Sequence, residues 1–332
     1  MISGPEPGPP AQSPMPLRHL LEISDLSPAE LARVLALSDP ADLVGALGSG
    51  ALAGGGVGLV FEKPSARTRH SMEMAVVQLG GHPAYITGSE VGLDQRESVE
   101  DVTRTLACYY AVVGARVFNH RTIERMAALD VAPVINLLSD RSHPMQALAD
   151  LLTLQQEWGQ LAGRTVAYVG DGNNVCRSLA LGAAMSGVEL RVASPSGYNL
   201  TDHDADAVAA LGGQLCRCND PREAVAGADA VYTDVWVSMG EEGAAATKRD
   251  ALGRFGVTAQ LMAEAAPGAI FLHCLPAHRG EEVSAEVIDG PRSRVWRQAA
   301  NRMHAARGLL RWLVEANAPG NAAAAPLRSD GS

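Results

Sequence analysis

The chain has 332 residues, 47% of them hydrophobic, enough for two α/β domains with sizeable cores. Its 27 Lys and Arg against 37 Asp and Glu give a formal net charge of −10, with both signs mixed along the chain, so no basic face is available for nucleic acid and local arginines point to a focused small-anion site. Five cysteines, odd in number and without C-x-x-C spacing, argue against a disulfide frame or zinc knuckle, and the absence of a signal pattern or an apolar run of ~18 residues predicts a soluble, cytoplasmic chain.

In chain order, residues 1–16 hold six prolines with several Gly and Ser and are expected to be a disordered tail. Apolar positions from 17 to 38 fit a helix, with Ser27-Pro28-Ala29-Glu30 supplying a capping box and an N1 proline. Residues 39–56 read as a Gly- and Ala-rich loop with at most a weak helix. Strands are then expected near 57–61, 83–86, 115–118 and 133–136, alternating with helices near 66–79, 98–110 and 121–128. A long helix follows from Pro144 to about Trp158 and is long enough to bridge two domains. Strands near 165–169, 190–193, 214–216, 230–233 and 269–272 then alternate with helices near 175–186, 203–211, 221–226 and 258–265. A final helix at 299–315 can reach back to the first domain, and 317–332 is expected to be a disordered tail. This alternation predicts two α/β lobes, each a parallel sheet flanked by helices, joined by two interdomain helices, with ligands in the cleft at strand carboxyl ends.

The stretch FEKPSARTRHSMEM, residues 61–74, reads as strand, sharp turn and helix. Ser65 is the expected N-cap, leaving the first amides, on Ala66, Arg67 and Thr68, without carbonyl partners. Arg67, Arg69, Thr68 and Ser65 crowd that turn, a donor set that suits phosphate better than a single carboxylate. Arg116 falls at the end of another strand. His143 and Gln146, three apart at the start of the bridging helix, share a side of it, and beside an arginine they suit a polarised carbonyl oxygen; a histidine before proline also fits a plain helix cap. Gly170-Asp171-Gly172-Asn173-Asn174 lacks the third glycine and the distant acid of a dinucleotide fingerprint, so Asn174 is read as an amide for a carboxylate or amine. The strand at 230–233 runs into Asp234 and Ser238, an acid and a hydroxyl for a cationic substrate. The strand at 269–272 runs into Cys274, which is either a buried structural cysteine or a thiol at the cleft edge.

Taken together, SARTR, HPMQ, GDGNN, DVWVSMG and HCLP, in this order and spacing, resemble the aspartate/ornithine carbamoyltransferase superfamily, and the last three resemble its ornithine branch. The resemblance runs from about Leu17 to Glu315. It implies a carbamoyl-phosphate lobe (17–148), an ornithine lobe (149–298), a C-terminal helix (299–316) packing back on the first lobe, and a homotrimer with shared active sites. It also implies transfer of a carbamoyl group from carbamoyl phosphate to ornithine, giving citrulline, in arginine biosynthesis.

By the same resemblance, Ser65, Ala66, Arg67 and Thr68 hold the phosphate, and Arg116, His143, Gln146 and Arg302 hold the carbamoyl group. Asn174, Asp234, Ser238 and Met239 hold ornithine, and Cys274 and Leu275 line the reacting amine. No metal or cofactor is expected, because the leaving group is already activated and arginine supplies the positive charge. Three departures from the family pattern stand out. Ala66 replaces the usual threonine, Gln95 lies in an altered version of the loop that neighbouring subunits donate, and Gln298-Ala299-Ala300-Asn301 replaces the acidic run before Arg302. The rivals are a carbamoyltransferase of the same fold acting on another amine, a non-catalytic carbamoyltransferase-like subunit, and a nicotinamide-dependent dehydrogenase.

Overall fold

Strands of a parallel sheet covered on both faces need continuous apolar runs, and β1 (Gly56–Phe61), sequence GVGLVF, is buried at every position. A computed structural model describes residues 16–237 and 242–318. In it β1 pairs in parallel with β2 (His82–Thr87) on one side and β3 (Val112–Arg116) on the other, and β3 pairs with β4 (Val134–Leu138), giving the order β2-β1-β3-β4. The second sheet is built from β5 (Thr165–Val169), β6 (Glu189–Ala193), β7 (Gln214–Cys218), β8 (Ala230–Thr233) and β9 (Ile270–His273). They run in the order β7-β6-β5-β8-β9, again all parallel.

The expected two-lobed α/β architecture is therefore present. In each sheet the chain adds strands on one side of its first strand and then crosses to the other. The crossover opens a crevice at the carboxyl ends, between β1 and β3 in one lobe and between β5 and β8 in the other.

Two helices tie the lobes together. The Pro144–Trp158 helix is buried from Pro144 to Leu154 and packs on the Asn174–Met185 helix of the second lobe and on β4 of the first. The Val295–Ala316 helix packs on it and runs back over the Ala66–Gln78 and Pro28–Leu37 helices. One continuous apolar core joins Leu148, Leu151, Leu309 and Leu313 to residues of both sheets.

The C-terminal helix comes very close to the Pro28–Leu37 helix at Gly308, where a Cβ would lie 2.1 Å from Ser38 Oγ, 2.7 Å from Ser38 N and 2.8 Å from Val34 O. Among the described residues no helix is long and apolar enough to cross a membrane.

Several local expectations are corrected. The helix expected over 17–38 forms as a short 3-10 turn at Ile23–Asp25 and an α-helix at Pro28–Leu37, with the Ser27 capping box intact. Leu20 instead exchanges main-chain hydrogen bonds with Val134 and Asn136, because the free edge of β4 satisfies these amides better than an isolated turn. The strand expected at 115–118 is Val112–Arg116: Gly114 is interior to it, and a Cβ there would crowd Leu59 and Leu137. The short helix at Leu43–Ser49 is the weak helix allowed for 39–56, whereas the helix at Ala245–Leu252 is not among the expected elements and arises in a stretch with no clear apolar period. The final helix starts at Val295, earlier than the expected 299.

Candidate active site

A cleft of about 1020 Å³ lies between the two crevices, and its walls come from both lobes. At the first crevice Ser65 caps the Ala66–Gln78 helix in extended conformation, its Oγ accepting from Thr68 N at 3.4 Å and donating to Thr68 Oγ1 at 3.1 Å. The cleft is lined here by Ser65, Ala66, Arg67 and Thr68, so helix-end amides, a guanidinium and hydroxyls converge as the sequence requires of an anion site. Arg69 does not join them. Its guanidinium pairs with Glu73 at 2.8 Å and stacks 4.0 Å from the Tyr85 ring, one turn along the helix and facing β2.

Arg116, at the end of β3, and Arg302, on the C-terminal helix, are both buried. Burial, followed by the nearby Arg302 and Arg67, pulls Arg116 down to about 10. Three guanidiniums that influence one another in this way favour binding of an anion between them. Arg302 is held from three sides: Nη1 donates to Gln146 Oε1, lies 3.1 Å from His143 Nε2, and Nη2 donates to Thr68 Oγ1 at 3.2 Å.

Arginine has only donors, so His143 Nε2 accepts and the proton sits on Nδ1, where no protein partner meets it. Burial, then Arg302 and Arg116, holds His143 well below its usual range, and its side chain makes no capping bond. His143 is therefore a neutral N–H donor at the cleft wall, at the N-cap position of its helix but without a side-chain capping bond. Gln146 Nε2 donates to the buried Asp150 at 2.8 Å, which leaves one N–H and one lone pair on this amide.

The second crevice carries the opposite chemistry. Asp234, just after β8, accepts from the Val235 amide at 2.8 Å and from Cys274 Sγ at 2.8 Å through Oδ1, and from Asn173 Nδ2 at 2.9 Å through Oδ2. Burial and the adjacent carboxylate push the Cys274 thiol well above its ordinary value, so it is a protonated donor to Asp234. Leu275 follows with φ +61° and its amide on His273 Nδ1 at 2.9 Å.

Asn174 lines the cleft, with Nδ2 donating to the Ser139 carbonyl at 2.6 Å across the lobes. Sequence reasoning did not single out Asn173, which caps the Asn174–Met185 helix and also anchors Asp234. Nor did it single out the buried Lys248–Asp171 ion pair at 2.8 Å on the cleft wall. Asp171 stands inside the GDGNN motif, whereas nothing local marks Lys248. Gly172 permits that loop to pass under 198–200, since a Cβ there would lie 2.7 Å from Leu200 N.

Ser238 and Met239 lie outside the described residues. Gln95 is exposed on a turn after the Gly88–Val91 helix and does not line this chain's cleft. Asp234, His273 and Cys274 bring metal-ligand atoms within 4.8 Å of one another. They are engaged in protein hydrogen bonds, Cys274 with Asp234 and the His273 ring with Glu282 and the Leu275 amide, and no metal is assigned to them.

A two-lobed α/β fold with cationic donors at one crevice and a carboxylate–thiol pair at the other has the chemistry of a group-transfer enzyme. Residues 18–156 match the family model described as the aspartate/ornithine carbamoyltransferase carbamoyl-P binding domain, and residues 162–313 match the Asp/Orn binding domain. The chain is 45% identical over 303 residues to ornithine carbamoyltransferase of Thermus thermophilus, covering 90% of this chain and 97% of that one. The solved structure of ornithine carbamoyltransferase from Pyrococcus furiosus superposes with a TM-score of 0.84 at 41% identity, covering 88% of this chain and 96% of the other. The corresponding Thermus thermophilus crystal structure gives 0.82 at 42%, covering 90% and 99%. This chain belongs to the aspartate/ornithine carbamoyltransferase family and is a carbamoyltransferase.

Proposed function

We propose that this enzyme transfers the carbamoyl group of carbamoyl phosphate to the δ-amine of L-ornithine, releasing L-citrulline and phosphate, as a cytoplasmic step of arginine biosynthesis. The observation that carries the reading is the polarity of the cleft between the lobes, with Arg67, Arg116 and Arg302 on one wall and Asp234 with Cys274 on the other. The names of the relatives at 45% identity and above agree with it.

In this reading the 17–148 lobe binds carbamoyl phosphate, with its phosphate on the Ala66, Arg67 and Thr68 end of the helix and on Ser65. Arg116, His143 and Arg302, with Gln146 behind Arg302, face the carbonyl oxygen. The 149–298 lobe binds ornithine through Asn174 and Asp234, with Ser238 and Met239 on its α-amino acid end. The 299–316 helix returns Arg302 to the first lobe.

The neutral amine attacks the carbamoyl carbon and the N–C bond forms; the bond between that carbon and the bridging oxygen then breaks from the tetrahedral intermediate, phosphate leaves with the electron pair, and the proton lost by the nitrogen passes to the departing phosphate. Each preorganised donor to the oxyanion is worth about 3–4 kcal/mol, or ~10²–10³ in rate. A lysine-like amine of pKa about 10.4 costs ~4.6 kcal/mol to present neutral at pH 7. Asp234 and Cys274, with Leu275, orient it.

A homotrimer with shared sites completes the reading. Met74 and Val77, three apart and exposed on the Ala66–Gln78 helix, supply apolar surface, and the exposed Gln95 is available to a neighbour's cleft.

The test is citrulline formation from carbamoyl phosphate and L-ornithine, run beside putrescine and N-acetylornithine. Ornithine-dependent citrulline is expected. Preferred turnover of either of the other amines would replace ornithine while leaving the carbamoyl-transfer assignment in place.

A further inference from the structure

Asp150 sits two turns into the bridging helix, fully buried. Its Oδ1 accepts two side-chain amides, Gln146 Nε2 at 2.8 Å and Gln298 Nε2 at 2.6 Å. An amide whose nitrogen is committed to a carboxyl oxygen must present its own oxygen elsewhere. Gln146 Oε1 takes Arg302 Nη1. Gln298 Oε1 takes the backbone N–H of His273 at 2.9 Å, the residue immediately before Cys274. One acceptor atom therefore sets the orientation of two amides on two different helices, one holding Arg302 and the other the backbone just before Cys274.

We propose that Asp150 is a positioning residue that fixes, through Gln146 and Gln298, the placement of the Arg302 guanidinium relative to the strand end that presents Cys274. The inference rests on Arg302 and Cys274 standing at the reacting centre. It assigns a role to Gln298 as well, one of the departures from the family pattern. A glutamine there supplies both the donor that Asp150 accepts and the acceptor that the His273 amide needs.

The role asks for an acceptor and not for a charge. Burial pushes Asp150 up to about 7, against the donors from Gln146 and Gln298 and the nearby Arg302 on the C-terminal helix. The other titratable groups facing it are Tyr232 on β8 and Cys274 after β9. Its Oδ2 has no hydrogen bond of normal geometry, and neither has the Tyr232 hydroxyl. A proton on Oδ2, or the amide nitrogen of an asparagine in its place, leaves Oδ1 free to accept both glutamines.

The test compares Asp150→Ala, Asp150→Asn and Gln298→Met in the full-length enzyme. The readouts are carbamoyl-phosphate affinity by calorimetry, kcat and amine KM, and the melting temperature. Asp150→Ala is expected to weaken carbamoyl-phosphate binding and raise amine KM by about tenfold each, as loss of a buried acceptor allows. Asp150→Asn should rescue both to within about threefold. Gln298→Met should damage the amine parameters and leave carbamoyl-phosphate affinity near normal.

Wild-type parameters in Asp150→Ala, or equal damage in Asp150→Asn and Asp150→Ala, would overturn the proposal. If Asp150→Ala does not fold, the other two variants decide: a damaged Asp150→Asn, or a Gln298→Met that loses both ligands equally, defeats it. Arg302→Gln and Cys274→Ala serve as separate controls. Near-normal turnover in both would remove the site assignment beneath the inference, whatever the Asp150 series shows.

Discussion

Arg116 is the residue whose chemistry is most exposed to test. It is buried beside two further guanidiniums with its Nε unpartnered, so its removal deletes a preorganised donor and relieves like-charge crowding. Arg116→Ala should therefore lower kcat by ~10²-fold or more while the melting temperature is unchanged or higher, and steady-state kinetics beside a thermal melt would show it. Asp234 is bonded to Cys274 Sγ and Asn173 Nδ2 and lies in the other lobe, so Asp234→Asn should raise amine KM far more than it weakens carbamoyl-phosphate binding. Equal losses for the two ligands would contradict the amine-end role proposed for it.

The pH profile follows from the same residues. The folded-state value of His143 is depressed, so its neutral form is kept below pH 6.5. The Cys274 thiol is raised and keeps its proton well above its ordinary value. Neither should contribute an inflection between pH 6 and 9, where kcat/KM should rise only as the amine deprotonates. A histidine-like break near 6.5 in the free-enzyme profile would contradict the neutral His143.

At the scale of elements, the helix ends and helix contacts position the site. The Ser65 cap was legible because a cap is a local device, complete within four residues, and the structure places Ser65, Arg67 and Thr68 as that reading requires. Arg69 was misread within the same turn, because its alternative partner Glu73 is one helical turn away and competes with any ligand. The C-terminal helix can deliver Arg302 only if it lies close on the first lobe, and Gly308 makes that approach possible. The backbone atoms Ser38 N and Val34 O leave no room for a methyl group. Gly308→Ala should destabilise the fold by about 1–3 kcal/mol, read as a lowered melting temperature, and should reduce turnover by displacing Arg302. An unchanged melting temperature would show that the helix pair can separate at no cost.

For the whole molecule, charge linkage and assembly supply the tests. Asp150 has a folded value near 7, above the unfolded 3.8, so its contribution to stability is present below pH 3.8 and is lost as pH rises towards 7. His143 acts in the opposite sense, its contribution being lost as pH falls below 6.5. Asp150→Asn should accordingly gain melting temperature relative to the parent at pH 8 and show no such gain at pH 4. In a trimer with shared sites, mixing Gln95→Ala chains with Arg116→Ala chains should restore activity by assembling some sites free of both changes. Absence of any restored activity, with mixed oligomers present by mass, would place Gln95 outside the site.

The sequence by itself determined the alternation of strands and helices, the Ser65-capped helix end and the motifs that mark the family, because each is encoded within a turn or two of chain. It also placed Arg116, His143, Asp234 and Cys274 at element ends, where a cleft could use them, whereas Arg302 stands two turns inside the C-terminal helix. Only the tertiary structure decided that Asn173 holds Asp234, and that Lys248 pairs with Asp171. It likewise decided that Asp150 orients two glutamines, one of them 148 residues away, and that Thr68 meets Arg302 across 234 residues. The physical reason is that protonation, tautomer and amide orientation depend on burial and on partners brought together by packing, and neither is a property of local sequence.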